Sequence, residues 1–144
     1  MKKILLKGGE VATSLGVFDG DILFEVGAEG FGGKILAVED RGTITEKADE
    51  EVDCNGKLLM PGLIDVHVHF RTPGHEYKED FNSGSKAALA GGVTTICDMP
   101  NNQPPIFTVD DLEKKRALVK DQSYINYGLY IGFNGSNVDE INNA

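Results

Sequence analysis

Four polar residues alternate along one short segment, and their types could bind a metal ion and an anion. Asp65 to Arg71 reads Asp-Val-His-Val-His-Phe-Arg. In a strand, residues two positions apart point to the same face, so the four polar side chains share one face. Imidazoles at i and i+2 can reach one metal ion, and a planar guanidinium suits a substrate carboxylate. The spacing therefore indicates His67 and His69 as metal ligands and Arg71 as a carboxylate anchor; spacing alone also allows two interior histidines with ordinary hydrogen-bond partners.

The elements that must position this segment alternate between strand and helix after residue 60. The pattern predicts a buried strand at 63–70, a helix at 78–90, a strand at 93–99, a helix from the N-cap Thr108 to about Lys120, a strand at 125–133 and a helix beginning at 137. Gly91 and Gly92 should end the first helix. This alternation is typical of a parallel α/β sheet. His69 and Arg71 would fall at the C-terminal end of a strand, where (β/α) barrels carry their working residues.

The first sixty residues have short apolar runs separated by Gly, Asp and Glu. Such runs predict a small sheet, with a loop at Gly27–Gly33 between two strands. We therefore expect two domains, residues 1–60 and residues 61–144.

Composition excludes several classes of function. The formal net charge is −9, with 40% hydrophobic and 26% charged residues. This composition indicates a folded globular chain, and its acidic balance argues against nucleic acid or an anionic membrane as partner. No apolar run approaches the length of a membrane span. Cys54 and Cys97 lie at no metal-like spacing, which favours a cytoplasmic location.

Two longer stretches carry a resemblance to a known family. PGLIDVHVHFRTPGHEYKED from Pro61 and AALAGGVTTICDMPNNQPP from Ala87 resemble the beginning of a dihydroorotase of the amidohydrolase superfamily. The resemblance implies an α/β fold: the start of a (β/α)₈ TIM-type barrel, with about three barrel strands, preceded by part of a small β-sandwich subdomain. It implies that His67 and His69 ligate one or two Zn²⁺ ions, with other divalent metals left open. It also implies that His69, Arg71 and Asn101 bind a small substrate bearing a carboxylate.

The implied reaction is the reversible conversion of N-carbamoyl-L-aspartate to (S)-dihydroorotate plus water, in pyrimidine (UMP) biosynthesis. The family's proton-shuttle Asp and remaining metal ligands would lie beyond residue 144, so the catalytic residue is unknown and the chain is expected to be an N-terminal portion, inactive alone. Asp65 and Asp98 could each orient an imidazole, or make a structural hydrogen bond at a strand end. A homo-oligomer, or a pyrimidine-pathway partner such as aspartate carbamoyltransferase, is compatible with the resemblance.

Other interpretations stay open at this stage. Allantoinases, hydantoinases and dihydropyrimidinases share the HxH and Gly-Gly-x-Thr-Thr patterns; Arg71 and Asn101 favour dihydroorotase. Two departures from the family's pattern are Thr72, where an acidic residue is usual, and Asn102, where Thr is usual. A non-catalytic homologue acting as a partner subunit, or a simple metal- or carboxylate-binding module, would belong to a different class of function.

Overall fold

The computed structural model describes residues 1–27 and 32–144, which divide into two compact units, Met1–Pro61 and Gly62–Ala144. The first unit contains a five-stranded sheet with β1 (Lys2–Thr13), β2 (Gly16–Val26), β3 (Gly33–Asp40), β4 (Glu50–Asp53) and β5 (Leu58–Leu59). The strand order is β3-β2-β1-β4, and β5 also pairs with β1. β1, β2 and β3 are antiparallel neighbours, whereas β4 and β5 run parallel to β1. The expected loop at Gly27–Gly33 falls largely on Ala28–Phe31, outside the described residues, and the β-sandwich stays a prediction.

The second unit alternates strand and helix as the sequence predicts. Its elements are β6 (Leu63–Val68), α1 (Phe81–Ala90), β7 (Val93–Asp98), α2 (Val109–Val119), β8 (Asn126–Leu129) and α3 (Val138–Asn143). The sheet order is β6-β7-β8, and both strand pairs are parallel. Parallel strands place their C-terminal ends at one edge of the sheet, so the residues that follow β6 and β7 come close together there.

An aromatic and aliphatic core joins this sheet to its helices. Phe70, Phe81, Ile96 and Val119 are buried together. The rings of Phe70 and Phe81 meet edge to face, with centroids 5.3 Å apart, an arrangement that aromatic pairs favour. Phe70 therefore fixes the chain immediately after His69 against α1.

Local signals explain where the helices begin and end. Thr108 caps α2 by accepting a hydrogen bond from the Asp111 backbone N–H at 3.1 Å, as predicted. Gly91 caps the end of α1, and Gly92 has φ +83°, a conformation that glycine adopts without strain. The predicted start of α1 at Lys78 is wrong: Asp80 is the N-cap, because its carboxylate accepts from the Ser83 backbone N–H at 2.7 Å.

The prediction of a buried first strand is also wrong for the described residues. β6 ends at Val68 instead of residue 70, and Ile64 and Val66 are 65% and 60% exposed. Burial of an apolar strand depends on what lies beside and above it, and β6 is an edge strand here. No helix in residues 1–27 and 32–144 is long and apolar enough to cross a membrane.

Candidate functional site

Two imidazoles meet where β6 ends. The ring centroids of His67 and His69 lie 5.2 Å apart, with their planes at 66°. The alternation of the strand keeps them on one face, while Val68 and Phe70 pack into the core on the other. The two residues predicted as metal ligands are therefore neighbours, one exposed and one half-buried.

Asn101 joins this pair from the loop after β7. Its Oδ1 atom lies 2.8 Å from Nδ1 of His69, across 32 residues of sequence. With the amide oxygen as acceptor, Nδ1 carries the proton and the Nε2 lone pair of His69 is free to bind a metal. The Asn101 amide NH₂ also stays available as a donor to a ligand. The structure thus brings together His69 and Asn101, which the sequence placed in one site.

Arg71 follows in a conformation that few residues adopt. Its φ is +62°, in the left-handed region, and its carbonyl accepts from the His75 backbone N–H at 3.0 Å. A residue with a Cβ atom is strained there, and such positions cluster at functional sites. The turn directs the chain away from the strand directly after the two histidines.

The two aspartates predicted to orient an imidazole make other contacts. Asp65 Oδ1 accepts from the backbone N–H of His67 at 3.0 Å, so its imidazole-orienting role stays a prediction. Asp98 is buried, and its two oxygens are engaged by the Phe70 backbone N–H and the Lys115 Nζ, each at 2.6 Å. Of the two roles that the sequence left open for Asp98, the structure shows the structural hydrogen bond at a strand end: Asp98 holds the backbone next to His69 and pairs with a lysine.

Lys115 is a residue of this region that the sequence interpretation missed. Its side chain is 0% exposed, and Nζ also donates to Asn102 Oδ1 at 2.7 Å. Burial lowers the pKa of the Lys115 ammonium, while the hydrogen bond and charge of Asp98 act against that shift. A signal was present, because Lys115 lies between Leu112 and Val119 on the buried stripe of α2.

An open cleft of about 520 Å³ lies at this edge of the sheet and includes His67, Met99, Tyr130 and Phe133 in its lining. That volume is in the range of small-ligand sites. The Tyr130 hydroxyl donates to the Val66 carbonyl at 3.2 Å, and partial desolvation of this 41% exposed residue, with a smaller contribution from Cys97, raises the pKa of the Tyr130 phenol. The predicted strand at 125–133 included Tyr130 without marking it as functional, whereas β8 ends at Leu129 and Tyr130 lies just beyond it.

The chemistry of the donors fits part of a metal site. Neutral imidazole is a good ligand for zinc and for other first-row divalent metals. His67 and His69 supply two such donors, and the bond to Asn101 gives His69 the tautomer that a metal ligand needs. Within residues 1–27 and 32–144, no three His, Cys, Asp or Glu side chains gather as a metal-binding group.

Comparison with known proteins identifies the fold and the family. Residues 58–141 match the amidohydrolase family. Dihydroorotase from Methanothermobacter thermautotrophicus is 44% identical over 115 residues, which cover 80% of this chain and 26% of that protein. Dihydroorotase from Trichlorobacter lovleyi is 48% identical over 105 residues, 72% of this chain and 23% of that protein. The chain thus spans about a quarter of the length of these curated relatives.

Solved structures of similar enzymes superpose on nearly the whole chain. An L-hydantoinase (dihydropyrimidinase) from Arthrobacter aurescens has a TM-score of 0.86 and 30% identity, covering 99% of this chain and 30% of that one. A D-hydantoinase has a TM-score of 0.76 and 27% identity, covering 96% and 29%. The α/β fold is confirmed, with β6, β7 and β8 as the first strands of a TIM-type barrel. The chain belongs to the amidohydrolase family.

Proposed function

We propose that this chain carries the first ligands of a metal-dependent cyclic amidohydrolase of the dihydroorotase type. The reaction is the reversible conversion of N-carbamoyl-L-aspartate to (S)-dihydroorotate plus water. The observation that carries the proposal is the pairing of His67 with His69, together with the hydrogen bond from His69 to Asn101. These contacts put two metal donors beside a polar side chain that can bind substrate.

His67 and His69 would hold a divalent metal, with zinc as the default for imidazole donors. A bound metal supplies Lewis acidity, which polarises an amide carbonyl and makes water a better nucleophile. The remaining ligands, and the Asp that passes a proton to the ring nitrogen, would come from residues outside 1–144. The role of this chain is then to present the paired imidazoles and to orient the substrate.

Arg71 and Asn101 would set the substrate class. A guanidinium can bind a carboxylate through two parallel hydrogen bonds, and the free NH₂ of Asn101 can donate a third. Dihydroorotate carries a free carboxylate. Removing a hydrogen bond to a charged group costs about 1.5–3 kcal/mol, so Arg71→Met should raise KM for dihydroorotate roughly 10- to 100-fold. The zinc content should not change, because Arg71 is not proposed as a ligand.

A hydantoinase or dihydropyrimidinase is the second candidate, favoured by the TM-score of 0.86 to the L-hydantoinase. The two candidates differ in their need for a carboxylate. Ring opening of dihydroorotate, hydantoin, dihydrouracil and allantoin by the complete gene product separates them. Dihydroorotate as the preferred substrate supports the proposal; a preference for dihydrouracil or hydantoin would assign the protein to the second candidate.

The metal site has a matched test of its own. Zinc per chain, measured by atomic absorption after purification of the complete gene product, should fall in His67→Ala and in His69→Ala. His75→Ala is the control, because His75 lies in the loop after β6, where its backbone bonds to Arg71 and Lys78 and its ring faces the Tyr77 ring. Equal zinc content in all three variants would contradict the ligand assignment, and no activity on any ring despite bound zinc would favour a non-catalytic homologue.

A further inference from the structure

The buried ammonium of Lys115 has an acceptor for each of its three hydrogens. Nζ lies 2.6 Å from Asp98 Oδ2, 2.7 Å from Asn102 Oδ1 and 3.4 Å from the Met99 carbonyl. Lys115 is on α2, whereas its three acceptors belong to the end of β7 and the loop that follows. One cation therefore ties the helix to the loop that carries Asn101.

Two of these acceptors, Asp98 and Asn102, also form hydrogen bonds with the segment after β6. Asp98 accepts from the Phe70 backbone N–H at 2.6 Å, and the Asn102 NH₂ donates to the Thr72 carbonyl at 2.9 Å. Phe70 and Thr72 are the two neighbours of Arg71. The network thus holds the backbone on both sides of the one residue besides glycine with a left-handed φ among those the structure describes.

We propose that Lys115 is a positioning residue for the candidate site, acting through Asp98 and Asn102 to hold the backbone of Arg71. This inference rests on the proposed function, because it assigns Arg71 the binding of the substrate carboxylate. Lys115 touches neither the histidines nor the cleft. Its hydrogen bonds also end on Met99 and Asn102, on either side of Asn101, but we assign its effect on the substrate to the conformation of residues 70–72, and the Arg71→Met background below tests that assignment.

The chemistry of the network supports a positioning role. Buried ion pairs contribute little net stability compared with apolar residues of similar volume, because desolvation offsets their attraction. They do impose a unique geometry, since each buried donor and acceptor needs its partner. Here the hydrogen bonds of the network end on Asp98 at the C-terminal end of β7 and on residues of the two loops that carry Arg71 and Asn101. Asn102, a departure from the family's usual Thr, has the length to accept from Lys115 and donate to Thr72 at once.

The network of Lys115, Asp98 and Asn102 is called the clamp below. The first experiment tests whether the clamp holds the Arg71 backbone, without measuring activity. In ¹⁵N-labelled protein, Lys115→Met should shift the Phe70 and Arg71 amide resonances and speed their hydrogen exchange at least about fivefold. Lys114→Met is the matched control: it removes an exposed lysine paired with Asp110 one position away and should leave both amides unchanged. Phe70 and Arg71 amides unaffected by Lys115→Met would overturn the proposal whatever the protein catalyses.

A second variant covers the case in which Lys115→Met does not fold. Asn102→Leu has a similar volume and keeps the Lys115–Asp98 pair, but it removes both Asn102 hydrogen bonds, the one from Lys115 Nζ and the one to the Thr72 carbonyl. It should shift the Arg71 amide and leave the Phe70 amide in place. An unchanged Arg71 amide in this variant would likewise overturn the proposal.

The second experiment tests whether the clamp acts through Arg71. In the complete gene product, Lys115→Met or Asn102→Leu should raise KM for dihydroorotate about fivefold or more, with kcat and zinc content changed less than twofold. In an Arg71→Met background the same substitution should change KM less than twofold, because the group it positions is gone. An equal rise in KM in both backgrounds would overturn the assignment. A wild-type protein that opens no ring would instead refute the proposed function, and the amide measurements would still decide on the clamp.

Discussion

Replacing Arg71 with glycine should leave the protein more stable than replacing it with alanine, the reverse of the usual order. Arg71 has φ +62°. A residue with a Cβ atom pays roughly 1–2 kcal/mol in that region, which glycine avoids. Against this, glycine gains roughly 0.4–1 kcal/mol of extra freedom in the unfolded chain. With the midpoint of each range, the difference leaves the Arg71→Gly variant about 0.8 kcal/mol more stable than Arg71→Ala. Both variants lose the guanidinium, so its contacts cancel from the comparison.

Tyrosine fluorescence during urea unfolding reports on the structural unit Gly62–Ala144, which contains Arg71, and so measures this difference in stability. The chain has four Tyr and no Trp, and all four lie in Gly62–Ala144. Lys86, an exposed position inside α1, provides the control pair. There alanine should exceed glycine by about 1 kcal/mol, as expected for a helix interior. If alanine is also the more stable replacement at position 71, the left-handed strain assigned to Arg71 is refuted.

Three further predictions concern residues of the Gly62–Ala144 unit. Gly84→Ala should destabilise the protein although alanine normally favours a helix, because the new Cβ would lie 2.8 Å from the buried Phe70 ring; a raised urea midpoint would contradict this. Residues 1–144 alone should bind zinc with a dissociation constant above micromolar in isothermal titration, since His67 and His69 supply only two donors. Tighter binding would favour a metal-binding module. Stability should fall as pH drops below about 4, because hydrogen bonds from the first turn of α1, above all a backbone N–H, lower the pKa of Asp80 in the folded state. The Asp80 carboxylate contributes this stability fully above its unfolded-state pKa, and the contribution is lost as pH falls through its lower folded-state pKa. Asp80→Asn should therefore flatten the acid side of the curve of urea midpoint against pH.

Local patterns predicted the order of elements and the pairing of the histidines. Thr108 and Gly92 act where the sequence indicates, because capping depends on the residue itself and on its immediate neighbours. The alternation that puts His67 and His69 on one face depends only on strand geometry. These features need no knowledge of the rest of the molecule.

Features that depend on distant partners were not predictable in the same way. The bond from His69 to Asn101 spans 32 residues, and the family resemblance implied only that both residues bind the substrate. A lysine on an apolar stripe is visible in the sequence, but its partner Asp98 lies 17 positions earlier on another element. The exposure of Ile64 depends on what flanks an edge strand, which no local pattern encodes. Tertiary contacts decide such cases, and propensity and spacing do not.

The hydrogen bonds of Lys115, Asp98 and Asn102 form a frame that holds the backbone around Arg71, whereas the Arg71 side chain sets which ligand is bound. Its contacts after β6 are to main-chain atoms, the Phe70 N–H and the Thr72 carbonyl, so they do not depend on which side chain stands at position 71. A substitution there can change the ligand that is bound without removing a single hydrogen bond of the frame. The reverse does not hold, because a change at Lys115 removes the donor that orients both arms. The Phe70 amide resonance should therefore stay in place in Arg71→Met and move in Lys115→Met, and a shift of similar size in both variants would show that frame and specificity are not separable.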